Sequence, residues 1–597
     1  MTPIIVILLY LAIIAFVGGI AYRRGKSNTE DFFLANRSVG EMVFFLSIFA
    51  TNMTAFAILG SSGQAYRQGI GIYGLMASSS GLVIPLTIFL IGTRLWALGK
   101  KFGHQTQVAF FRDRWECDAI GTVIFALSAL MLVPYMIISI MGGGTVLAQI
   151  SHAKGAAAPL IPYWLGCGVV AVVVTMGVFL GGMRGTVWVN ILQTTLFLCF
   201  GAVAVLTIYH ALPGGFGEYM RSLAGDPKTR FLVTREKMPP QAFWSYTLIP
   251  LSSIMFPHMA MMCFSARKVT AFKRTVVLYP LAILLIWLPC VFLGVLGVAA
   301  LGKVADPDGI LLLMLEKYAP VWLAGLLGAG IISAVMGSDA HQVLALSTMF
   351  TKDIYQHYGG REKYGEKAAV HFARGFIILV TLAAYLIALS LKQKQGIFEI
   401  AVRYAFSGFA AMAPIMVAAL FWKRSTKWGA LAAALFTAAC LLYFALLQNS
   451  RHPGDVIWQL GHGKTAIKLL FINPRGDVSF WNGFMTVVPM VLGSALSMVA
   501  GSLLTKAPSR ATLDKYFPKT VRVRQSVPLR PGPPSREEEE PSPIGRPMQP
   551  CEDAPVAASR QGAVGDSPEG TAALCRDAAA RARFMAGESG TPEAAQQ

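Results

Sequence analysis

Long apolar runs alternate with short basic loops thirteen times along the first 504 residues of this chain. A helix needs about 20 apolar residues to cross roughly 30 Å of hydrocarbon. Residues 3–22, 118–149, 185–211, 275–301, 320–350 and 369–391 reach that length on their own. The full pattern predicts helices at 3–22, 41–66, 70–98, 118–149, 160–181, 185–211, 242–265, 275–301, 320–350, 369–391, 397–422, 428–447 and 482–504. The expected fold class is an all-α polytopic membrane protein of about thirteen transmembrane helices. A chain that crosses a bilayer so often builds a pathway or a site inside it, so the polar groups within the spans are where function belongs.

Two predicted helices are unusually polar. The second contains Ala50-Thr51-Asn52-Met53-Thr54-Ala55 and then Gly60-Ser61-Ser62-Gly63; the seventh contains Pro250-Leu251-Ser252-Ser253 and then Pro257-His258. An interrupted helix frees carbonyls and amides, which are tolerated at membrane depth only where they line a protein-enclosed cavity. Broken helices at matching places in two halves of a chain point to an inverted-repeat transporter with its site near the midplane. Close packing through small residues is the alternative use of Gly and Ser in such helices.

Composition narrows the function. Apolar residues make up 55% of the chain and charged residues 14%, below the ~25% usual for soluble domains. The net charge of +20 does not indicate a nucleic-acid partner, because nearly all the excess lies in loops of the membrane region, such as Arg23-Arg24-Gly25-Lys26 and Trp422-Lys423-Arg424. That pattern suits an anionic cytoplasmic leaflet. Residues 505–597 hold 13 Lys+Arg and 12 Asp+Glu; their Pro-rich and Glu-rich segments predict a disordered cytoplasmic tail after a membrane domain at 1–504. No basic residue precedes the first apolar run and three follow it, which favours an N-terminus outside and a C-terminus in the cytoplasm of an inner (plasma) membrane protein. The eight cysteines form no CxxC pair; Cys167, Cys199, Cys263, Cys290 and Cys440 read as small buried hydrophobes. No HExxH, GxSxG or carboxylate cluster marks an enzyme, and no cofactor is expected.

Several ordered motifs then carry a likeness. They are Asp31-Phe32-Phe33-Leu34-Ala35-Asn36-Arg37; Gly60 through Ala65-Tyr66 and Gly69; Gly181-Gly182-Met183-Arg184 with Trp188 and Gln193; Ser333-Ala334-Val335-Met336 followed by Ser347 through Tyr355; and Pro414 with Phe421-Trp422-Lys423-Arg424 and Gly429-Ala430. Together they resemble the sodium/solute symporter family, over roughly residues 1–504. The resemblance implies a leucine-transporter-type core of two inverted five-helix repeats, about 41–211 and 242–422, working by alternating access. It places a sodium site at Ala50 and Met53 on the second helix and at Ala334, Gly337 and Ser338 on the ninth. Neutral carbonyls and hydroxyls can replace a cation's hydration shell reversibly. Gly337 departs from the family's usual hydroxyl residue, and Asn190 stands where many members carry an aspartate on the ion's exit path. Either sodium binds with fewer protein oxygens, or coupling has moved to protons or been lost. Asp339, His341 and His258 are the ionisable candidates for that second route.

By the same resemblance the solute lies between the second, seventh and eleventh helices. The candidates are Asn52, Thr54, Phe56 and Ala57, then Ser252, Ser253 and Phe256, then Tyr404 and Ser407. Ala57, where sugar carriers of the family place a polar group, argues against a sugar. Arg403 with Glu399 one turn earlier predicts an ion pair along one helix face. The sharper reading is an arginine that attracts a carboxylate, which leans the solute toward an organic anion or an amino-acid-like compound. The expected partners are this solute, sodium and the lipid bilayer. A transporter-like sensor signalling through the tail is the competing class.

Overall fold

The computed structural model describes residues 2–24, 33–152, 158–391, 396–461, 467–474 and 476–518. In chain order the helices begin with α1 (Thr2–Arg24), α2 (Glu41–Asn52), α3 (Phe56–Gln68), α4 (Gly71–Phe102), α5 (Gln107–Trp115), α6 (Asp118–Ile150), α7 (Tyr163–Phe179) and α8 (Gly182–Ala211). There follow α9 (Gly215–Gly225), α10 (Pro240–Met255), α11 (Pro257–Ser265), α12 (Thr270–Leu301), α13 (Ile310–Tyr318), α14 (Val321–Gln356), α15 (Ala368–Leu391), α16 (Ile397–Phe421) and α17 (Lys427–Ser450). A small sheet and then α18 (Val487–Leu503) and α19 (Arg510–Tyr516) complete the chain. Among the described residues, eight of these helices are long and apolar enough to cross a membrane. Two bent pairs pass the same test jointly, α2/α3 at 62° and α10/α11 at 53°. Three shorter apolar helices accompany them, Ile5–Ile14, α7 and α18. Each bent pair opens one of the two expected repeats.

Burial separates scaffold from periphery. Of the straight spans, α14 and α16 are the most enclosed, 78% buried, whereas α17 is 22% buried. Gly, Ala and Ser run through α14, so neighbouring helices approach its backbone closely. Between α7 and α8 the chain turns at Gly182, whose φ of 51° suits a residue without a Cβ.

The two ends differ. One end carries a four-stranded antiparallel sheet in order β1 (Val456–Leu460), β2 (Ile467–Ile472), β3 (Val478–Phe480) and β4 (Phe484–Met485). The sequence reading treats 448–481 as a loop and starts the last helix at 482. The structure moves that start to Val487, because Trp481-Asn482-Gly483 all take positive φ and turn β3 back into β4. The opposite end is basic. There Arg114, fully buried, donates to the Ala419 carbonyl (2.9 Å) and the Ser425 hydroxyl (3.1 Å), tying α5 to the α16–α17 turn.

The tail boundary also shifts. The expected disordered segment began at residue 505, yet α19 is ordered and packs on α5. Ser509 caps it, Lys515 Nζ meets both Asp113 oxygens (2.6 and 2.7 Å), and the Tyr516 hydroxyl donates to Asp113 Oδ2 (2.5 Å). The remainder of the expected tail, 519–597, lies outside the described residues. Of the cysteines read as buried, Cys199 is exposed on α8 and Cys440 is only half-buried on α17.

At the sheet end Asp308, in the turn before α13, clamps three segments. Arg67 Nη1 of α3 donates to its Oδ1 (3.1 Å) and the Ile397 N–H at the start of α16 donates to its Oδ2 (2.9 Å). Burial raises this carboxyl to about 6 despite the nearby guanidinium. A value above the ordinary 3.8 means the proton stabilises the packed state, fully below 3.8 and progressively less as pH rises through about 6. The melting midpoint of purified protein is therefore expected to fall across that window. Asp308→Asn should flatten this dependence; an identical pH profile in both proteins would remove Asp308 as its source.

Candidate functional site

The break between α2 and α3 contains neither Gly nor Pro. Met53 is extended (φ −92°, ψ 106°), and its N–H turns back to the carbonyls of Phe49 (3.0 Å) and Ala50 (3.2 Å). The Thr54 hydroxyl accepts from the Phe56 N–H (3.1 Å) and the Thr54 carbonyl from the Ala57 N–H (2.9 Å). Those amides would otherwise serve Asn52 and Met53, whose carbonyls are thus released from the helix. The second break has a covalent cause: Pro257 supplies no N–H and holds Phe256 extended (φ −62°, ψ 121°).

Midway along α14, the Ser338 hydroxyl donates to the Thr51 carbonyl at 2.8 Å, and Gln342 Nε2 donates to Ser338 Oγ at 2.9 Å. The two segments that the sequence pairs as a cation site, Ala50/Met53 and Ala334/Gly337/Ser338, are therefore brought together; all five side chains or backbones lie in the interior of the bundle. The tie runs through Thr51, a residue absent from the expected set.

Asn190 and Gln193 of α8 pack over Gly337. A Cβ at Gly337 would lie 2.6 Å from Gln193 Oε1 and 2.8 Å from Asn190 Oδ1. Asn190 therefore packs directly over Gly337. Its amide contacts His341 Nδ1 at 2.9 Å; Gln193 Nε2 reaches the Tyr10 hydroxyl at 3.5 Å, and Tyr10 bonds Ser333. Asp339 is wholly buried, and neither of its oxygens has a hydrogen-bond partner. Asn190 Oδ1, Gln193 Oε1 and Gln342 Oε1 are likewise without donors. A buried acceptor left unmet costs about 1–3 kcal/mol, so this core is rich in oxygens able to take a cation or water.

The expected solute residues divide. Phe56 and Phe256 meet in an aromatic cluster between the two breaks. Phe56 stacks on Phe398 (5.2 Å between centroids) and meets Phe406 edge-on (4.9 Å); Tyr135 meets Phe256 (5.1 Å) and Phe406 (5.0 Å). Thr54 borders this cluster beside Tyr135. Ala57 and Ser252 are buried on the same two broken helices. Others turn elsewhere: Asn52 Nδ2 donates to the Tyr279 hydroxyl of α12 (2.6 Å), Ser253 pairs with Thr87 of α4 (3.2 Å), and Ser407 donates to the Val402 carbonyl (2.7 Å). Tyr404 faces a cavity toward the sheet end. The sequence reading missed Tyr135, Phe398 and Phe406, which only the fold brings beside Phe56. The Arg403–Glu399 pair is corrected as well. Arg403 Nε donates to Asp477 Oδ1 at 2.6 Å, because the unforeseen sheet places Asp477 above α16.

With this geometry in view, the family assignment rests on a direct match. The model of the sodium:solute symporter family matches residues 32–436. The chain belongs to the sodium:solute symporter family. Relatives of this symporter include the sodium/proline symporter of Escherichia coli, 23% identical over 553 residues that cover 89% of this chain and 98% of that one. The sodium/pantothenate symporter of Haemophilus influenzae is 26% identical over 446 residues, 72% of this chain and 87% of its own. In fold the symporter is similar to a Na+-coupled sialic acid symporter solved substrate-bound and outward-open. The TM-score is 0.65 at 16% identity, with 85% of this chain and 99% of the other covered. The family and this likeness establish the leucine-transporter-type architecture.

In this symporter, filling the space over Gly337 should strain the packing of Asn190 and Gln193. Gly337→Ala is expected to cost about 1–3 kcal/mol, read as a lower melting midpoint, and adding Gln193→Ala should recover part of it. A Gly337→Ala protein as stable as the parent would show that these amides do not depend on the missing methyl.

Proposed function

We propose that this protein takes up a small organic solute, an organic anion or an amino-acid-like compound, by sodium symport with alternating access. The observation that carries the reading is the bond from the Ser338 hydroxyl of α14 to the Thr51 carbonyl, beside the α2 break and in a buried, oxygen-rich core. The proposed ion ligands are the backbone oxygens of Ala50, Met53, Ala334 and Gly337 with the Ser338 hydroxyl. Sodium bound there would bridge α2 to α14 and bias the chain toward the state that receives solute, because a ligand shifts a conformational equilibrium only by its differential affinity. One charge moving across 100 mV is worth about 2.3 kcal/mol, so the ion can drive accumulation. Solute would occupy the region between the two breaks once the Phe56–Phe398–Phe406 contacts part. The relatives' proline and pantothenate are the first solutes to try.

The basic end belongs in the cytoplasm by this reading, since the loops 99–117, 266–274, 351–368 and 423–427 are each rich in Lys and Arg. The sheet end and the N-terminus are then outside, in a cell (inner) membrane. One observation favours a second reading. Asp339 is a buried carboxyl without a partner, and Asn190 carries no charge, which together suit proton rather than sodium coupling.

Reconstituted protein should accumulate proline or pantothenate when a sodium gradient is imposed. Ser338→Ala should raise the sodium concentration for half-maximal uptake about tenfold, the equivalent of one lost interaction of ~1.4 kcal/mol. Unchanged sodium dependence would take Ser338 out of the site. Uptake driven by a pH gradient alone would replace the sodium reading with the proton one.

A further inference from the structure

A cavity of about 390 Å³ lies at the sheet end, walled by α3, α4, α16 and α17 and roofed by the sheet. It holds Gln64, Phe398, Glu399, Arg403, Tyr404 and Asp477 on its walls. Phe398 is also the ring stacked on Phe56, so the floor of this cavity is the upper surface of the central aromatic cluster. Its size falls within the range of small-molecule pockets. Tyr404 is the one expected solute residue that lines it.

The charges of this cavity are built in a particular order. Arg403 and Glu399 lie one turn apart on α16, with Cβ atoms about 5–6 Å apart at that spacing, yet they do not pair. Arg403 already grips a carboxylate, that of Asp477 from the sheet, through Nε at 2.6 Å. A guanidinium offers five N–H donors in a fork suited to carboxylates. Glu399 has the opposite condition: its Oε2 is buried without a donor, and Arg67, the nearby guanidinium, is held by Asp308 at 3.1 Å. The cavity thus presents a carboxylate receptor whose place is held by a side chain of its own roof, and beside it a carboxylate with one buried oxygen that lacks a donor.

We propose that this cavity is a docking site for the transported solute in front of the aromatic cluster, and that it selects α-amino-acid zwitterions. The ammonium group donates to Glu399, and the carboxylate takes the Arg403 guanidinium in exchange with Asp477, which releases the sheet from α16. The apolar remainder of the solute lies on Phe398, poised over Phe56. This proposal rests on the solute-transport reading above and narrows its solute from organic anion or amino acid to the amino acid.

Binding to the detergent-purified full chain, in potassium buffer without sodium, tests it by isothermal titration calorimetry. The probes are the common α-amino acids tried singly, then, for the tightest binder, its carboxamide and its N-trimethyl form, with pantothenate as an anion lacking an ammonium group. At least one α-amino acid should bind, and losing either charged group from the probe should weaken binding tenfold or more. Glu399→Gln and Arg403→Gln should each weaken it by a similar factor. Asp477→Asn should tighten binding several-fold by freeing Arg403, a gain that a misfolded protein could not produce. Absence of binding by every α-amino acid, unchanged affinity in Glu399→Gln, or weaker binding in Asp477→Asn would each overturn the proposal. Uptake assays in liposomes separate the two levels. Sodium-driven pantothenate uptake without zwitterion binding would sink the docking site alone. Charge-dependent zwitterion binding without sodium-driven accumulation of that amino acid would sink the sodium symport reading alone.

Discussion

Backbone at a helix break at membrane depth must find its partners within the protein, and beside the α2 break the Ser338 hydroxyl of α14 donates to the Thr51 carbonyl. Much of the core follows from that contact. It requires α14 to pass close beside α2, which the small residues of α14 permit. It places Gly337 against α8, where the amides of Asn190 and Gln193 occupy the volume a methyl would take. It also leaves several oxygens unmet around one short stretch of α14, and a buried polar network that is only partly satisfied is the kind that an ion or water completes.

The two breaks differ in kind. The α10/α11 break is fixed covalently, since Pro257 can neither donate to the ladder nor let Phe256 become helical. The α2/α3 break has no such residue. It is held by tertiary and local hydrogen bonds, Ser338 to Thr51 and the Thr54 hydroxyl to the Phe56 amide. Bonds of this sort are individually worth about 1 kcal/mol, comparable to what a bound ion can contribute. The first break is accordingly the one whose geometry ligand occupancy can bias, while the second serves as a fixed wall.

The helices were legible because a 20-residue apolar run has few other uses in a chain of this length. Both breaks were legible as well, from Asn52 and Thr54 in one span and Pro257 in the other. The family likeness drawn from motifs such as Gly60–Gly69 and Ser333–Met336 agrees with the family match. What stayed hidden depended on long-range placement. The strands at 456–485 are apolar but only two to six residues long, far short of a span, and polar and glycine-containing turns separate them, so the segment read as a loop. Without the sheet, Arg403 had only Glu399 within sequence reach, and the local i,i+4 rule assigned the wrong partner. Phe398, Phe406 and Tyr135 read as ordinary apolar positions, because the aromatic cluster exists only once α3, α6 and α16 are packed. The glycine at 337 read as a lost ligand; its steric role needed the positions of Asn190 and Gln193.

The sheet end and the centre of the bundle are joined through α3 and α16. Asp308 fastens both of these helices at the sheet end, through Arg67 and the Ile397 amide. Phe56 of α3 and Phe398 of α16 are stacked farther in. Displacing the start of α16 far enough to part the rings must also withdraw the Ile397 N–H from Asp308, since Ile397 and Phe398 are consecutive. Restoring either contact returns the helix end to the position that forms the other. Two contacts on adjacent residues of one rigid segment therefore open and close together, which favours discrete closed and open arrangements over a graded series. The alternating access proposed for this chain needs that property, because a passage half-open at this end while the other end moved would let a coupled ion leak.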